Sequence, residues 1–331
     1  MRVWRRFAVL LLCLIGAAAY LGIQLVSSYA GFKTETFVDF PKGTSVRQMA
    51  DMLQNAGVIH HWWAFLIARA LRHRATLQAG EYRFAQPASV LDIYDRIARG
   101  DVFYYELAVP EGKNMFDIAA AAERLKLFPA EQFLDAARDP ALIRDLDPQA
   151  PTLEGYLFPN TYRVRRHSTP EQLCRMMTSK FREVWSGLHT TAPVHRTVTL
   201  ASLVEKEGKL PDERPVIASV FARRLSIGMK LDCDPTTIYA ALLAGNYSGA
   251  IHKSDLASGD PYNTYQHPGL PPGPIANPGL ASIKAVLQPA DTNYLYFVAR
   301  ADGSGGHNFA ADLAAQQTNI AKYRHALAHR P

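Results

Sequence analysis

The longest apolar stretch of the chain runs from Phe7 to Val26, and Gln24 is its only strongly polar residue. Twenty residues at a helical rise of about 1.5 Å span about 30 Å, which is the thickness of a bilayer core. A helix of this sequence is apolar on every face, which is typical of a membrane span and not of a buried soluble helix. We therefore predict a transmembrane anchor over residues 7–27.

The flanks of this stretch predict its orientation. Arg2, Arg5 and Arg6 precede it, and positive charges favour the cytoplasmic side of a membrane. Residues 1–6 are then a cytoplasmic tip, and everything after the anchor lies outside. A cleaved signal peptide is the alternative, with Ala17–Ala19 as the small-residue cleavage site. We favour a retained single-pass anchor, because the apolar run continues well beyond these alanines.

After the anchor, short apolar patterns alternate between strand and helix periods. A strand is predicted at Phe37–Phe40, and Thr44 or Ser45 is placed to cap a following helix. A second helix over Trp62–Leu71 and a strand over Gly80–Phe84 complete a strand-helix-helix-strand module. Ser89 then caps a further helix that Gly100 ends.

The same opening recurs further along the chain. Phe40–Gly43 and Val109–Gly112 are both strand ends followed by a Pro-x-Gly turn and a helical pattern, about 70 residues apart. We therefore group residues 36–140 as one module with a related second half. Three prolines mark the end of this region, at Pro140, Pro148 and Pro151. A second domain is predicted over residues 150–325.

This second domain mixes helices with short strands. Helices are predicted over residues 171–185, over 198–207 with a stop at Gly208, and from a cap at Asp212 to Gly228. Asn277 and Pro278 are placed as the N-cap and first turn of a helix through residue 287. Strands at residues 294–298 and 307–309 and a closing helix follow. The fold class is α+β throughout.

The segment from His267 to Gly279 is unusually rich in turn residues. It holds five prolines and three glycines in thirteen residues, so it is predicted to be neither helix nor central strand. Folded patterns resume immediately after it. A stiff loop between packed elements is more typical of a binding or active-site loop than of a linker.

Composition narrows the possible chemistry. The net charge of +6 suits an anionic partner, but no nucleic-acid-binding motif or dense basic run is present, so nucleic acid is not expected. The 11 histidines and 3 cysteines show no metal-ligand spacing, and no P-loop or GxSxG elbow occurs, so we predict no metal and no cofactor. Cys174 and Cys233 could form a disulfide or remain free thiols.

Carboxylates are the remaining candidates for catalysis. A carboxyl group beside apolar side chains retains its proton and can deliver it to a leaving oxygen. In the segment LASLVEKE, Glu207 continues the apolar stripe of Leu200, Leu203 and Val204, whereas Glu205 lies on the face of Ala201 and Ser202. The periodicity thus predicts Glu207 as packed support and Glu205 as the proton carrier above a groove of small residues. An ordinary charged helix end is the alternative.

Aromatic and amide side chains are abundant in the same half of the chain. Flat rings stack on sugar faces, and amides pair with hydroxyl and acetamido groups. A polysaccharide cleft is therefore their functional interpretation, although each one singly also suits a core or a turn. The residues are Tyr156, Tyr162, Tyr239, Tyr262, Asn263, Tyr265, Asn277 and Asn308.

Several motifs in a fixed order resemble the endolytic murein transglycosylases, the MltG or YceG-like family. They are AGEYRF, EGYLFPNTY, LASLVEKE, VFARRLSIGMKLDCDPTTIYA, YNTYQHPGLPPGPIANPG and LYFVARADGSGGHNF. The resemblance implies a LysM-like peptidoglycan-binding part within residues 36–140 and a catalytic domain over 150–325. One departure is that Gly208 and Lys209 follow the glutamates where a small polar residue is expected.

The resemblance also implies roles for particular residues. Glu205 matches the family's catalytic glutamate, taken as the first acid of the VEKE motif. The resemblance also implies a cleft that binds the substrate around Glu205, and it implies no cofactor. The substrate-binding residues implied are Glu154, Tyr156, Glu207, Tyr262, Asn263, Thr264 and Pro271.

The implied activity is that of a lyase acting on nascent peptidoglycan. One glutamate would cleave the bond between N-acetylmuramic acid and N-acetylglucosamine and leave a 1,6-anhydro end, which would limit strand length. The protein would sit in the inner membrane with its catalytic domain in the periplasm, beside peptidoglycan synthases. The alternatives are a non-catalytic glycan-binding scaffold for such a synthase, and a hydrolase that pairs Glu205 with Glu154 or Asp234.

Overall fold

The structure is a computed structural model that describes residues 2–329, with side chains from residue 4 onward. Met1, at the tip of the predicted cytoplasmic segment, lies outside the described residues. The helices are α1 Arg2–Val26, α2 Val46–Asn55, α3 Trp62–Leu71, α4 Val90–Arg99, α5 Met115–Arg124, α6 Ala130–Arg138, α7 Pro170–Gly187, α8 Val194–Glu207, α9 Arg214–Ser226, α10 Asp234–Leu243, α11 Lys253–Leu256, α12 Leu280–Leu287 and α13 Leu313–Ala328. The strands are β1 Thr36–Phe40, β2 Gly80–Phe84, β3 Tyr105–Val109, β4 Asn160–Val164, β5 Tyr296–Ala299 and β6 His307–Ala310.

This mixture of helices and short strands confirms the α+β class. The strands pair in three antiparallel ladders, β1 with β2, β3 with β4, and β5 with β6. Within α1, residues Trp4–Val26 are long and apolar enough to cross a membrane. A signal sequence has the same properties, so the retained anchor and its orientation stay predictions.

The described residues up to Tyr104 form one compact unit. Ser45 caps α2 through a reciprocal capping box with Gln48, which explains why the helix begins after the Pro-x-Gly turn. β1 and β2 then pair over five residues, with Thr36 opposite Phe84. Helices α2, α3 and α4 bury their apolar faces in one core with these strands, around the large side chains Phe40, Phe65, Tyr82 and Tyr94. The predicted strand-helix-helix-strand order is confirmed, while its likeness to LysM stays a prediction.

The described residues from Tyr105 onward form the second unit, which begins with the same order of elements. β3 pairs with β4, and α5 and α6 lie between them in the chain. The sequence grouped residues 105–140 with the preceding module, but Met115 and Phe133 share a core with Leu153 and Tyr156 of the second unit. The predicted boundary near 140–150 therefore falls inside this unit. The functions assigned to the two regions stay predictions.

Two predicted helix caps differ from the structure. Asp212 lies within a short 3₁₀ helix over Pro211–Glu213, and α9 begins after it without a side-chain cap. Asn277 does not cap α12, whose N-cap is Gly279, because the Asn277 side chain is bound elsewhere. The segment 267–279 contains neither helix nor strand, as its proline content predicts.

Candidate functional site

Helix α8 carries both candidate glutamates on its last turn. Its residues 197–204 are buried, and the helix ends where the Gly208 N–H donates to the Val204 carbonyl oxygen. A Cβ atom at Gly208 would lie 2.9 Å from Cγ of Arg214, so only glycine permits this close approach of α9. The glutamates therefore stand where the helix leaves the core.

Glu205 is held in a closed network of donors. Its side chain is only 4% exposed, and its Oε1 accepts a hydrogen bond from Nη2 of Arg214 at 3.0 Å. Its Oε2 accepts from the Gly279 N–H at 3.0 Å. Nη1 of Arg214 lies 3.5 Å from Oε2 of Glu111. Both carboxylate oxygens thus accept from fixed groups, and Glu205 joins α8 to α9 and to the start of α12.

The face of α8 below Glu205 is packed and does not form the open groove that the sequence predicts. Ser202 is fully buried, and its hydroxyl accepts a hydrogen bond from the Ile275 N–H at 3.1 Å. On the other side, Gly112 approaches so closely that a Cβ atom there would lie 3.4 Å from Cγ of Glu205. The segment 267–279, called the Pro-Gly segment below, and the Pro110–Gly112 turn therefore cover this face.

Glu207 has a different environment. It lines a cavity of about 360 Å³, and its Oε1 accepts a hydrogen bond from the Cys233 thiol at 3.2 Å. Burial raises the pKa of the Glu207 carboxyl above its ordinary value, while the Cys233 contact lowers it to a smaller extent. A carboxyl group of this kind keeps its proton to higher pH and faces a space that a ligand can enter. It therefore has the two properties that a general acid requires.

The cavity around Glu207 is lined mainly by polar groups with some apolar side chains. Two of the lining residues pair with each other, since the Tyr265 hydroxyl donates a hydrogen bond to Oδ1 of Asp234 at 2.6 Å. Among the described residues, the buried Gln316 Oε1 has no hydrogen-bond partner, so it is available to a ligand hydroxyl or amide N–H. The other lining residues are Phe221, Arg224, Leu231, Asp232, Cys233, Pro235, Phe297, Val298, Ala299 and His307.

Two sets of contacts fix the walls of this cavity. On one side, Glu213 accepts hydrogen bonds from the His307 N–H at 3.0 Å and from Nη2 of Arg300 at 3.2 Å, which holds the β5–β6 hairpin against the start of α9. On the other side, the Thr264 hydroxyl accepts from the Cys233 N–H at 3.0 Å and pairs with Thr236. Thr264 thereby positions the thiol that contacts Glu207.

Glu154 and Asn277 form the buried centre of a second network. Oε2 of Glu154 accepts from the Met115 N–H at 2.9 Å, and its Oε1 accepts from Nδ2 of Asn277 at 2.8 Å. Oδ1 of Asn277 accepts from the N–H groups of Gly155 and Leu157, both at 2.9 Å. These contacts hold the Pro-Gly segment against residues 112–115 and 154–157. Glu154 is fully enclosed, so it supports the site from within.

The other predicted substrate-binding residues are also mostly internal. The Tyr156 hydroxyl donates to Asp147 within the core, and burial raises the pKa of this tyrosine. Tyr262 packs on Tyr239 with ring centroids 5.1 Å apart. Asn263 donates to three backbone carbonyls between residues 255 and 258, and Pro271 is buried. The structure therefore places these residues behind the site, and their contact with substrate stays a prediction.

Several residues at the site were not predicted. Arg214 and Glu111 complete the network of Glu205, and Cys233 is the partner of Glu207. Arg214 lies nine residues after Glu205, and a basic residue this near the candidate glutamates was the sequence signal that could have indicated the first of these. Cys174 and Cys233 are both free and buried, so they form no disulfide with each other. Within residues 2–329, no group of three or more His, Cys, Asp or Glu side chains could hold a metal ion.

The buried Glu154 predicts a measurable pH dependence of stability. Burial raises its pKa from 4.5 to about 8, so between these values the folded chain holds a proton that the unfolded chain has lost. The stabilising contribution is complete below pH 4.5 and is lost as the pH rises to about 8, by at most about 1.4 kcal/mol per pH unit. Denaturant titrations of the detergent-solubilised full chain should show this decline, and Glu154→Gln should flatten it.

The control for this measurement is Glu183→Gln, because the Glu183 side chain is largely exposed and pairs only with Lys180. Its stability curve should run parallel to that of the unmodified chain. If Glu154→Gln also gives a parallel curve, the buried carboxyl does not titrate in this range.

Comparisons with known proteins agree with one another. The family model described as the YceG-like family matches residues 38–322. An endolytic murein transglycosylase of Bacillus subtilis is 33% identical over 88% of this chain and 86% of its own length. One from Streptococcus pneumoniae is 30% identical over 87% of this chain, and the match spans 59% of that longer protein. The solved structure of a yceG-like protein from Listeria monocytogenes superposes with a TM-score of 0.54 at 29% identity, over 87% of this chain and 99% of that one.

Proposed function

Because the chain belongs to the YceG-like family, we propose that it cleaves peptidoglycan glycan strands as an endolytic lytic transglycosylase. The names of its relatives in Bacillus and Streptococcus support this activity. The observation that carries the proposal within the molecule is the cavity at the end of α8, where a buried carboxyl group faces open space between polar walls.

Glu207 suits the role of proton carrier better than Glu205, which the sequence favoured. Burial raises the pKa of Glu207, and its Oε1 accepts a hydrogen bond from the Cys233 thiol, which is a weak donor. Glu205 instead accepts hydrogen bonds from Arg214 and the Gly279 N–H, one on each carboxylate oxygen, and these donors hold it between α9 and the start of α12. We therefore assign acid and base catalysis to Glu207 and loop positioning to Glu205.

The chemistry needs only one carboxyl group, because the substrate supplies the nucleophile. Glu207 donates its proton to the oxygen between the muramoyl C1 and the next sugar, and this C1–O bond breaks. The neighbouring acetamido group relieves the positive charge that develops at C1. Glu207, now a carboxylate, removes the proton from the muramoyl C6 hydroxyl, and O6 bonds to C1. A 1,6-anhydro end is formed and no water is consumed.

A hydrolase is the second candidate, and one observation favours it. Asp234 lines the same cavity as Glu207, so two carboxyl groups could flank the scissile bond and activate a water molecule. Glu154, the other partner considered from the sequence, is enclosed in the core and does not suit this role. The two reactions differ in whether water enters the product.

Mass spectrometry of the cleavage products tests the proposal. Purified full chain in detergent is incubated with glycan strands, and the new ends are analysed. We expect anhydro ends, one water lighter than the ends that hydrolysis leaves. Hydrated ends would instead identify a hydrolase, and intact strands that nevertheless bind the protein would identify a scaffold.

The anchor extends the proposal to a place in the cell. A catalytic domain tied to the inner membrane by α1 would meet glycan strands in the periplasm as synthases release them. Cleavage at that point would limit strand length. The apolar helix over Trp4–Val26 supports this localisation.

A further inference from the structure

Helix α3 of the first unit is apolar on two faces, and only one of them packs fully into the core of that unit. One face packs into the core through Ala64, Phe65 and Ala68. The other face carries a second apolar stripe at helical spacing, formed by Trp63, Leu66, Ile67, Ala70 and Leu71. Trp63 and Ile67 are partly buried against the same core, whereas Ala70 and Leu71 are exposed. Arg69 is the only charged residue of the helix. A helix that is apolar all round but covered on one side only is typical of a surface that meets lipid.

This second stripe lies against the outer end of the membrane helix. The ring of Trp63 lies 6.3 Å from the ring of Tyr20 on α1, measured between centroids. Leu25 of α1 is buried in the same core as α3. Tyr20 stands six residues before Val26, at the end of α1. At the helical rise this places Tyr20 about 9 Å inside the outer end of the span. A side chain that contacts Tyr20 therefore lies in the outer part of the hydrocarbon, within the depth of about 5–10 Å that the apolar face of an interfacial helix reaches.

The chemistry of the flanking residues fits that depth. Tryptophan and tyrosine are enriched at membrane interfaces, where the ring is buried and the polar edge is hydrated. The exposed residues Arg72, His73 and Arg74 follow α3 directly. Arg72 forms an ion pair with Asp95 at 2.6 Å, whereas the side chains of His73 and Arg74 are exposed to solvent. A basic end of this kind suits the phosphate groups of an anionic lipid surface.

We propose that α3 lies in the outer headgroup–hydrocarbon boundary beside α1, with the stripe from Trp63 to Leu71 facing lipid. The bilayer surface is then a second ligand of residues 28–104, bound through a helix that is not itself a membrane span. This inference rests on α1 being a retained anchor. The first unit then contacts the bilayer through α3 as well as through α1, and these two contacts fix the orientation of its strands relative to the membrane.

Site-directed spin labelling of the full chain in vesicles tests the proposal. The vesicles contain phosphatidylethanolamine and phosphatidylglycerol, and Cys13→Ser removes the one exposed thiol, since Cys174 and Cys233 are buried. Single labels are then placed at Leu71→Cys, at Leu21→Cys within α1, and at Ile227→Cys. Ile227 is the matched control, because it is an apolar residue of the second unit with 60% exposure against 63% for Leu71.

The measured quantity is the accessibility of each label to molecular oxygen, which concentrates in lipid, relative to a water-soluble nickel chelate. We expect this ratio to be several-fold higher at Leu71 than at Ile227 and highest at Leu21. A ratio at Leu71 equal to that at Ile227, with Leu21 in lipid, overturns the placement of α3 alone. An aqueous ratio at Leu21 overturns the retained anchor and the placement of α3 together, and neither outcome bears on the catalytic activity proposed above.

Discussion

Replacing Glu207 by glutamine is expected to lower the rate of strand cleavage by about two to four orders of magnitude. The amide has nearly the same shape as the carboxyl group, so it fits the space beside Cys233. It cannot donate a proton to the glycosidic oxygen as an acid, nor accept one from the muramoyl C6 hydroxyl. The rate of appearance of anhydro-ended fragments, followed by mass spectrometry with purified glycan strands, measures the loss.

Glu205→Gln is the matched control, two residues away on the same helix turn. It removes the charge that faces Arg214 and one acceptor for the Gly279 N–H, so we expect a loss of stability of about 1–3 kcal/mol. Residual activity should follow the folded fraction. The reverse pattern, with Glu205→Gln inactive but folded and Glu207→Gln active, would restore the assignment that the sequence favoured.

The raised pKa of the Glu207 carboxyl also predicts a pH dependence of the cleavage rate. Activity that needs the protonated carboxyl should fall as the pH rises through this raised pKa, which a pH profile of the cleavage rate measures.

The second large effect is expected at Asn277, where alanine should lower the free energy of unfolding by about 3–5 kcal/mol. The truncation leaves the buried N–H groups of Gly155 and Leu157 without an acceptor. It also removes the amide donor to Oε1 of Glu154, which lies within the core. Chemical denaturation of the full chain in detergent, followed by circular dichroism, measures the change.

Asn246→Ala provides the comparison, because this exposed asparagine lies in a surface turn after α10. Its effect should stay within about 0.5 kcal/mol. Asn277→Asp serves as a second variant that keeps the acceptor but places a second carboxyl beside Glu154. It should retain part of the stability at low pH and lose it as the pH rises. Equal stabilities for the Asn277→Ala and Asn246→Ala proteins would contradict the role of this network.

Features with local causes were predictable from the sequence. Ser45 and Gly100 begin and end their helices as the capping patterns predict, because a cap depends on residues within one turn. The apolar run of α1 and the strand-helix-helix-strand order follow from periodicity in the same way. These features could be derived without knowing any distant contact.

The candidate site depended on contacts between residues far apart in the sequence. The face of Ser202 reads as an open groove of small residues, but Ile275 covers it from the other side of the domain. Glu207 continues an apolar stripe, yet that stripe ends at a cavity whose opposite wall comes from residues 297–316. Asn277 carries the local signature of an N-cap, but its partners lie more than 100 residues earlier in the chain. Periodicity identifies which face of a helix is apolar and does not identify what lies opposite that face.

The contacts that hold the cavity walls have a thermodynamic consequence. Glu213 ties down the hairpin that carries His307, and Thr264 ties down the segment that carries Cys233, before any ligand arrives. A sugar entering the cavity therefore does not have to order these segments. They lose their conformational entropy when the chain folds, so this loss does not weaken binding. Under the proposed endolytic activity, this rigidity would favour cleavage at internal positions, because each repeating disaccharide of the strand would meet the same preformed cavity.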